Sequence, residues 1–128
     1  SPVPRSVEEL HDTVLRRWIT TARSGGAVVV FGRGRRQQDY VSTQDVAAAV
    51  NRVLRTNAEG VFNIASGDPR SNAEVAALIA GRYGVPVEFE GEDDQDSDAW
   101  NISIERAARV LGFAPRLSSL DAIRTLMD

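Results

Sequence analysis

The basic side chains of this protein are fifteen arginines and one histidine. Three of the arginines lie in one glycine-containing turn. Arg33, Arg35 and Arg36 lie in the segment Gly32-Arg-Gly34-Arg-Arg36, directly after an apolar run. A guanidinium is always charged, and its planar fork of donors matches two oxygens of an anion. The turn is therefore a candidate anion-binding site, and the alternative interpretation is a solvated basic turn.

Groups that could act as nucleophiles, bases or metal ligands are scarce. The 128 residues contain no lysine, no cysteine and one histidine, His11. The absence of cysteine excludes a disulfide scaffold and a thiolate metal site. His11 has no partner at metal-ligand spacing, and the acidic run 92–98 lacks the spacing of a calcium loop. The sequence therefore predicts no catalytic, cofactor-binding or metal-binding residue, and favours a chain that holds a ligand.

Charge and hydropathy exclude two classes of partner. The net charge is −3, with +3 on residues 1–64 and −6 on residues 65–128. A nucleic-acid-binding protein is usually basic, with aromatic residues among its cations, so we expect no nucleic-acid partner. No apolar run approaches the roughly 20 residues that span a bilayer, and the first residues show no apolar core of a signal peptide. We expect no membrane partner and a cytoplasmic location.

The periodicity of apolar residues predicts the elements that position these groups. Helices are predicted at 7–23, from a Thr43 cap to Asn57, from a Ser71 cap to Gly84, from a Ser103 cap to Gly112, and from a Ser118 or Ser119 cap onward. Strands are predicted at 27–31, 61–65 and 85–89, with an extended segment at 39–43. This alternation predicts an α/β fold of about five helices and a small mixed sheet, with residues 1–128 forming a single lobe.

Three ordered groups of segments resemble one protein family. The first group is Val28-Val-Val-Phe-Gly32-x-Gly34, Gln38-Asp-Tyr-Val41 and Asp45-Val-Ala47. The second is Gly60-Val-Phe-Asn-Ile64, Ser66-Gly67, Ser71 and Glu74-Val-Ala76, and the third is Ala107 to Leu111-Gly112-Phe113 with Pro115. In this order they resemble the C-terminal half of extended short-chain dehydrogenases/reductases. These are the NAD-dependent nucleotide-sugar epimerases and dehydratases of the Rossmann superfamily.

The resemblance implies that this chain is the substrate-binding lobe of such an enzyme. The family's N-terminal half carries a glycine fingerprint for the dinucleotide and a Tyr-x-x-x-Lys pair for proton transfer. Here Tyr40 is followed four residues later by Gln44, and Tyr83 by Val87. We therefore expect the Rossmann domain to lie outside this chain, to join it in cis or in trans, and to bring the NAD(P) cofactor of the intact enzyme.

The resemblance also implies the substrate-binding positions. Gln38 stands where family members have an arginine for the diphosphate, and the region of a second arginine is the acidic stretch 90–98. Arg33, Arg35 and Arg36 are candidate substitutes for these missing cations. The predicted substrate-binding residues are Phe31, Gly32, Arg33, Arg36, Gln38, Tyr40 and Trp100. Most of them have structural alternatives: core packing for Phe31 and Tyr40, a tight turn for Gly32, the solvated basic turn for Arg33 and Arg36, and anchoring of the acidic loop for Trp100.

Two functional hypotheses follow from these residues. The first is the substrate-binding part of an NAD(P)-dependent sugar-nucleotide epimerase or dehydratase, inactive alone, with a nucleotide sugar or related small molecule as its ligand. The alternative is a stand-alone interaction or oligomerisation module, which would form a homo-oligomer. In that case Gln38 and the acidic loop mark a lost nucleotide-sugar site.

Overall fold

A computed structural model of the chain describes residues 14–92 and 103–127. In these residues the elements are α1 (Val14–Arg23), β1 (Val28–Phe31), β2 (Gln37–Gln38), α2 (Thr43–Thr56), β3 (Arg70–Ser71), α3 (Asn72–Tyr83), β4 (Val87–Glu90), α4 (Glu105–Leu111) and α5 (Ser119–Arg124). The described residues fall into two compact units. Unit 1 contains 14–34 and 73–92, and unit 2 contains 35–72 and 103–127.

Unit 1 is built on a parallel strand pair. Strand β1 pairs with β4 in the register that sets Val28 opposite Val87 and Phe31 opposite Glu90. Val28 and Val30 are buried, which is the alternation expected of a strand with one face in a core. The apolar faces of α1 and α3 supply the other buried hydrophobic side chains of the unit, which are Trp18, Ile19, Ala22, Val75, Ala76, Ile79 and Ala80. The indole N–H of Trp18 donates to the carbonyl of Val29 at 2.9 Å and so ties α1 to β1.

Unit 2 is built on helices α2 and α4, which pack against each other. Their shared core consists of Ala49, Ala107, Leu111 and Phe113. The hydroxyl of Ser42 caps α2 by accepting the N–H of Asp45 at 3.0 Å, so the predicted Thr43 cap is wrong by one residue. Gly112 ends α4 with a φ of +68°, as the sequence predicted. A left-handed residue at this position closes the last turn of a helix.

The α/β class and the five helices are confirmed in the described residues. The described strands form two separate pairs rather than one mixed sheet: β1 with β4 is parallel, and β2 with β3 is antiparallel. The β2 strand occupies 37–38 instead of the predicted extended segment 39–43, and β4 starts directly after Pro86.

The predicted strand 61–65 is wrong in the described residues. The segment has no regular structure, although its side chains alternate as those of a strand do. Phe62 and Ile64 pack on the core of unit 2, whereas Val61 is 82% exposed. A strand is defined by hydrogen bonds to a neighbouring strand, and no described strand pairs with this segment. The pattern therefore predicted the orientation of the side chains without predicting a partner.

Candidate functional site

Phe31, Gly32 and Arg33 lie at the end of β1 in unit 1. The side chain of Phe31 is 77% exposed, so the alternative that packs Phe31 into the core is wrong. Gly32 has a φ of +67°, and its N–H donates to the carbonyl of Glu90 at 2.7 Å. Glycine adopts this left-handed conformation without a steric penalty. Gly32 therefore turns the chain at the strand end and leaves Phe31 and Arg33 exposed on either side of it.

Arg35 and Arg36 begin unit 2, and their side chains are exposed. The backbone of Arg36 is held in place, since its carbonyl accepts the N–H of Asn72 at 2.8 Å. Exposure fits both interpretations of these arginines, an anion-binding turn and a solvated one. Their role therefore stays a prediction.

Gln38 and Tyr40 meet directly in unit 2. The hydroxyl of Tyr40 donates to Oε1 of Gln38 at 3.0 Å, and both residues are half-buried. Burial raises the pKa of Tyr40 above its ordinary value, so the hydroxyl stays protonated and keeps donating at neutral pH. Oε1 of Gln38 is the acceptor of this bond. The donors of the same side chain are the two N–H groups of its amide nitrogen.

Arg70 stands beside this pair. In the antiparallel register of β2 and β3, Arg70 is the residue directly opposite Gln38. Directly opposite residues of an antiparallel pair project on the same face, with their Cβ atoms about 5 Å apart. The guanidinium of Arg70 donates from Nε to Oδ1 of Asp68 at 3.0 Å, and its side chain is 36% exposed. The strand-pair partner of the neutral Gln38 is thus an arginine, and its guanidinium is bonded to Asp68.

Ser119 connects the rest of this site. The hydroxyl of Ser119 accepts the backbone N–H of Tyr40 at 2.9 Å and is hydrogen-bonded to the hydroxyl of Ser66 at 3.0 Å. The backbone N–H of Ser119 donates to Oδ2 of Asp68 at 3.2 Å, and the N–H of Asp68 donates to the hydroxyl of Ser66 at 3.1 Å. We refer to Gln38, Tyr40, Ser66, Asp68, Arg70 and Ser119 as the polar cluster.

Sequence reasoning missed four members of the polar cluster. Ser119 was predicted only as an alternative helix cap to Ser118, and no binding role was predicted for Ser66, Asp68 or Arg70. The structure shows that Ser118 is the cap of α5, whereas Ser119 is fully buried in the cluster. The bonds of Ser119 reach residues 51, 53 and 79 positions away, so no local pattern reveals them.

Two aspartates hold loops of unit 2 in position. The carboxylate of Asp39 accepts the N–H groups of Ser66 and Gly67 at 2.8 and 2.9 Å. The carboxylate of Asp45 accepts the N–H groups of Arg116 and Leu117 at 3.0 and 3.2 Å. Asp39 thereby fixes the loop that carries Ser66 and Asp68 of the polar cluster.

Some residues named in the sequence analysis lie outside the described residues. Trp100, His11 and most of the acidic stretch lie outside the described residues. Within 14–92 and 103–127, no three acidic or histidine side chains gather in a way that could hold a metal ion. The same residues contain no helix that is long and apolar enough to cross a membrane.

Comparison with known proteins places these residues in a family. The profile of the NAD dependent epimerase/dehydratase family matches residues 3–65. A UDP-glucose 4-epimerase of Mycolicibacterium smegmatis is 31% identical over 108 residues, which are 82% of this chain and 34% of that protein. The Bordetella bronchiseptica enzyme WbmF, solved in complex with NADH, superposes with a TM-score of 0.77 at 27% identity, over 91% of this chain and 35% of WbmF. This chain belongs to the NAD-dependent epimerase/dehydratase family.

The family members that match are much longer than this chain. The chain spans about a third of the length of the curated relatives that it matches. The UDP-N-acetylglucosamine 4-epimerase of Bacillus cereus superposes with a TM-score of 0.77 at 21% identity, which shows the shared fold alone. WbmF has also been solved with NAD+ and UDP together, at 26% identity and a TM-score of 0.75 to this chain.

Membership in the epimerase/dehydratase family confirms the resemblance inferred from the three groups of segments. The structure brings two of the predicted substrate-binding residues together, Gln38 and Tyr40. Phe31, Gly32 and Arg33 belong to unit 1, whereas Arg36 belongs to unit 2. The roles of all six in binding a substrate stay predictions.

Proposed function

We propose that this chain is the substrate-binding part of an NAD(P)-dependent sugar-nucleotide epimerase or dehydratase, and that it is not catalytic alone. The observation that carries the proposal is the polar cluster, in which a hydrogen bond joins the half-buried Gln38 and Tyr40 and in which Arg70 is the strand-pair partner of Gln38. Amide, hydroxyl and guanidinium donors suit the hydroxyl groups and phosphates of a nucleotide sugar. The similarity to a UDP-glucose 4-epimerase supports a nucleotide sugar as the substrate class.

The described residues do not fit the dinucleotide cofactor. A dinucleotide site of the Rossmann type needs a glycine-rich turn from a strand into a helix N-terminus. The glycines with positive φ that follow β1, Gly32 and Gly34, lead into strand β2 instead. The sequence contains no lysine for a Tyr-x-x-x-Lys pair. We therefore assign NAD(P), and the proton and hydride transfer, to the dinucleotide-binding half of the intact enzyme.

Calorimetric titration of the purified chain tests the proposal. We expect saturable binding of UDP-glucose or dTDP-glucose, no binding of NADH, and no turnover when sugar nucleotide and NAD+ are supplied together. Absence of nucleotide-sugar binding contradicts the binding claim. Measurable turnover contradicts the non-catalytic claim.

A pair of glutamine variants localises the binding. Gln38→Leu removes the amide that faces Tyr40, and the matched control Gln44→Leu makes the same change at an exposed position of α2. A neutral hydrogen bond contributes about 1 kcal/mol, so we expect Gln38→Leu to weaken UDP-glucose binding by about fivefold. Gln44→Leu should leave the affinity unchanged. Equal affinities of the two variants would place the ligand elsewhere.

An exposed apolar stripe on α2 favours the second candidate function, an interaction module. Val46, Val50 and Leu54 recur every four residues and are 39%, 54% and 72% exposed. Such spacing puts them on one face of the helix, beside the buried Ala49. Exposed apolar surface of this kind mediates association with another chain, either a second copy or a Rossmann domain.

Sedimentation analysis tests the second function. A module predicts concentration-dependent self-association that Leu54→Asp abolishes, whereas the matched exposed change Val61→Asp is expected to leave it intact. A monomer at all concentrations contradicts homo-oligomerisation.

The cytoplasmic location predicted from the sequence is checked separately by fractionation of the source cells.

A further inference from the structure

We propose that the hydroxyl of Ser66 donates its proton to a neutral oxygen of the ligand, a hydroxyl group of the hexose. This inference rests on the proposed function and names the part of the nucleotide sugar that one residue of the polar cluster binds. It starts from the hydroxyl pair of Ser66 and Ser119, whose Oγ atoms lie 3.0 Å apart.

The two serines hold one proton more than their mutual contact can use. A serine hydroxyl has one proton to donate and two lone pairs that accept. The hydroxyl of Ser119 accepts the N–H of Tyr40, and the hydroxyl of Ser66 accepts the N–H of Asp68. The contact between the hydroxyls takes up one of their two protons. Within residues 14–92 and 103–127 neither hydroxyl makes any other hydrogen bond, so the second proton has no acceptor there.

Burial decides which serine carries this second proton. Ser119 is 0% exposed, whereas Ser66 is 8% exposed. A donor that is buried without an acceptor loses its hydration and gains nothing in return, so the proton is least costly on the serine that still reaches the surface. Ser119 therefore donates to Ser66, and the proton of Ser66 is directed away from Ser119. In this arrangement Ser119 is a positioning residue for the donor.

The backbone around Ser66 is also held in position. The carboxylate of Asp39 accepts the N–H of Ser66 at 2.8 Å and the N–H of Gly67 at 2.9 Å. Both the main chain and the side chain of Ser66 are therefore fixed by bonds within unit 2. A donor that is ordered in this way loses little conformational freedom when a ligand binds.

The charges near Ser66 favour a neutral oxygen over a phosphate. Asp39 bonds to the main chain of Ser66, and within the described residues it has no ion-pair partner. The charge of Asp68 is paired with Arg70. A phosphate at the Ser66 hydroxyl would be repelled by the carboxylate of Asp39, because like charges at short range raise the energy. A hexose hydroxyl carries no charge and accepts a hydrogen bond equally well.

Calorimetry that compares UDP-glucose with UDP tests this assignment. The two ligands share the nucleotide, and only UDP-glucose has a hexose, so a change in the ratio of their affinities reports a contact to the sugar. We expect Ser66→Ala to weaken the binding of UDP-glucose by about fivefold and to leave the binding of UDP within about twofold of wild type. A merely structural role of Ser66 would weaken both ligands alike. Equal losses for the two ligands, or no loss for UDP-glucose, overturn the inference.

A second variant and a matched control separate the lost donor from misfolding. Ser66→Cys keeps a side chain of similar shape, but its thiol is a weak donor, so it should show the same selective loss for UDP-glucose. Ser103→Ala removes an exposed hydroxyl before α4 and should leave both affinities unchanged. Circular dichroism identifies any variant that fails to fold.

Ligand analogues test the inference on the wild-type chain, where folding is not in question. Among UDP-glucose analogues in which one hexose hydroxyl at a time is replaced by hydrogen, at least one should bind about fivefold more weakly than UDP-glucose. Undiminished binding of every analogue overturns the role of Ser66 and leaves the proposed function standing. A wild-type chain that binds neither UDP-glucose nor UDP overturns the proposed function itself.

Discussion

The carboxylate of Asp45 accepts the backbone N–H of Arg116 at 3.0 Å, although 71 positions separate the two residues. Oδ2 of Asp45 accepts the next N–H, from Leu117, at 3.2 Å. One buried side chain at the start of α2 therefore holds the loop that leads into α5, where Ser119 completes the polar cluster. The contact links the stability of unit 2 to the arrangement of its candidate site.

Replacing Asp45 by Asn should destabilise the chain. Two hydrogen bonds to a carboxylate are exchanged for an amide whose nitrogen faces an N–H donor. Hydrogen bonds to charged groups contribute about 2 kcal/mol each, so we expect Asp45→Asn to lower the free energy of unfolding by about 2–4 kcal/mol. Urea unfolding measures the loss. The exposed Asp121→Asn, which removes a surface pair with Arg124, should change it by less than about 1 kcal/mol.

The stabilisation by Asp45 should depend on pH. Burial alone raises the pKa of Asp45, but the N–H groups of Arg116 and Leu117, the Ser42 hydroxyl and the charge of Arg116 outweigh burial and hold the pKa below its ordinary value of 3.8. A lowered pKa in the folded state gives stabilisation that is complete above 3.8 and is lost as pH falls below that value. The difference between wild type and Asp45→Asn should therefore shrink on acidification. A constant difference down to the acid transition contradicts this assignment.

Ser119→Ala should cost more than a surface serine substitution. The hydroxyl of Ser119 is fully buried, accepts the N–H of Tyr40 and bonds to Ser66, so its removal leaves buried polar groups without their partner. The penalty for such groups is about 1–3 kcal/mol. Ser103→Ala, an exposed serine before α4, should stay within about 0.5 kcal/mol of wild type. Equal unfolding midpoints for the two variants would show that Ser119 does not organise the cluster.

Local patterns predicted the helices because a helix is defined by contacts within a few residues. The apolar spacing of α2 and the left-handed Gly112 follow from neighbours in the sequence, and the cap of α5 was narrowed to Ser118 or Ser119. The strand pairs do not, because pairing joins distant segments. The apolar run after Gly26 predicted β1, but only the structure shows that β4 is its partner.

The polar cluster shows the same limit at the level of function. Gln38 and Tyr40 were predicted from a family resemblance, which points to single positions along the chain. The sequence did not predict that Arg70 pairs with Gln38, because this pairing depends on the β2–β3 register. Asp39 was predicted only as part of an extended segment, yet its carboxylate accepts N–H groups 27 and 28 positions away. Neither contact has a signature within its own segment.

Gly34→Ala should be strongly destabilising in unit 1. A Cβ atom at Gly34 would lie 2.8 Å from the backbone nitrogen of Ala73 and 2.9 Å from a methyl group of Val30. The N–H of Ala73 donates to the Gly34 carbonyl at 2.9 Å, so this contact joins the turn after β1 to the start of α3. Overpacking adds about 1–3 kcal/mol to the cost of placing alanine at positive φ.

Gly84→Ala is the matched control for that substitution. Gly84 has a φ of +68°, nearly the +66° of Gly34, but a Cβ atom at Gly84 would meet no described atom within 4 Å beyond its chain neighbours. The control therefore carries the backbone strain alone, about 1 kcal/mol. Urea unfolding of both variants should show Gly34→Ala to be the less stable by at least about 1 kcal/mol. Equal free energies of unfolding for the two variants would mean that the turn after β1 can move away from α3 at little cost.

Tyr40 should ionise later in the folded chain than in the unfolded chain. Burial raises its pKa above the ordinary value of 10.0, so folding favours the protonated hydroxyl. The stabilisation is complete below 10.0 and is lost as pH rises through the higher pKa of the folded state. In the Tyr83→Phe variant, Tyr40 is the one remaining tyrosine, and its ultraviolet absorbance reports the titration directly. The same variant in concentrated urea supplies the unfolded reference. Coincident curves with and without urea would show that the Tyr40 hydroxyl is open to solvent, and the hydrogen bond to Gln38 would then not form in solution.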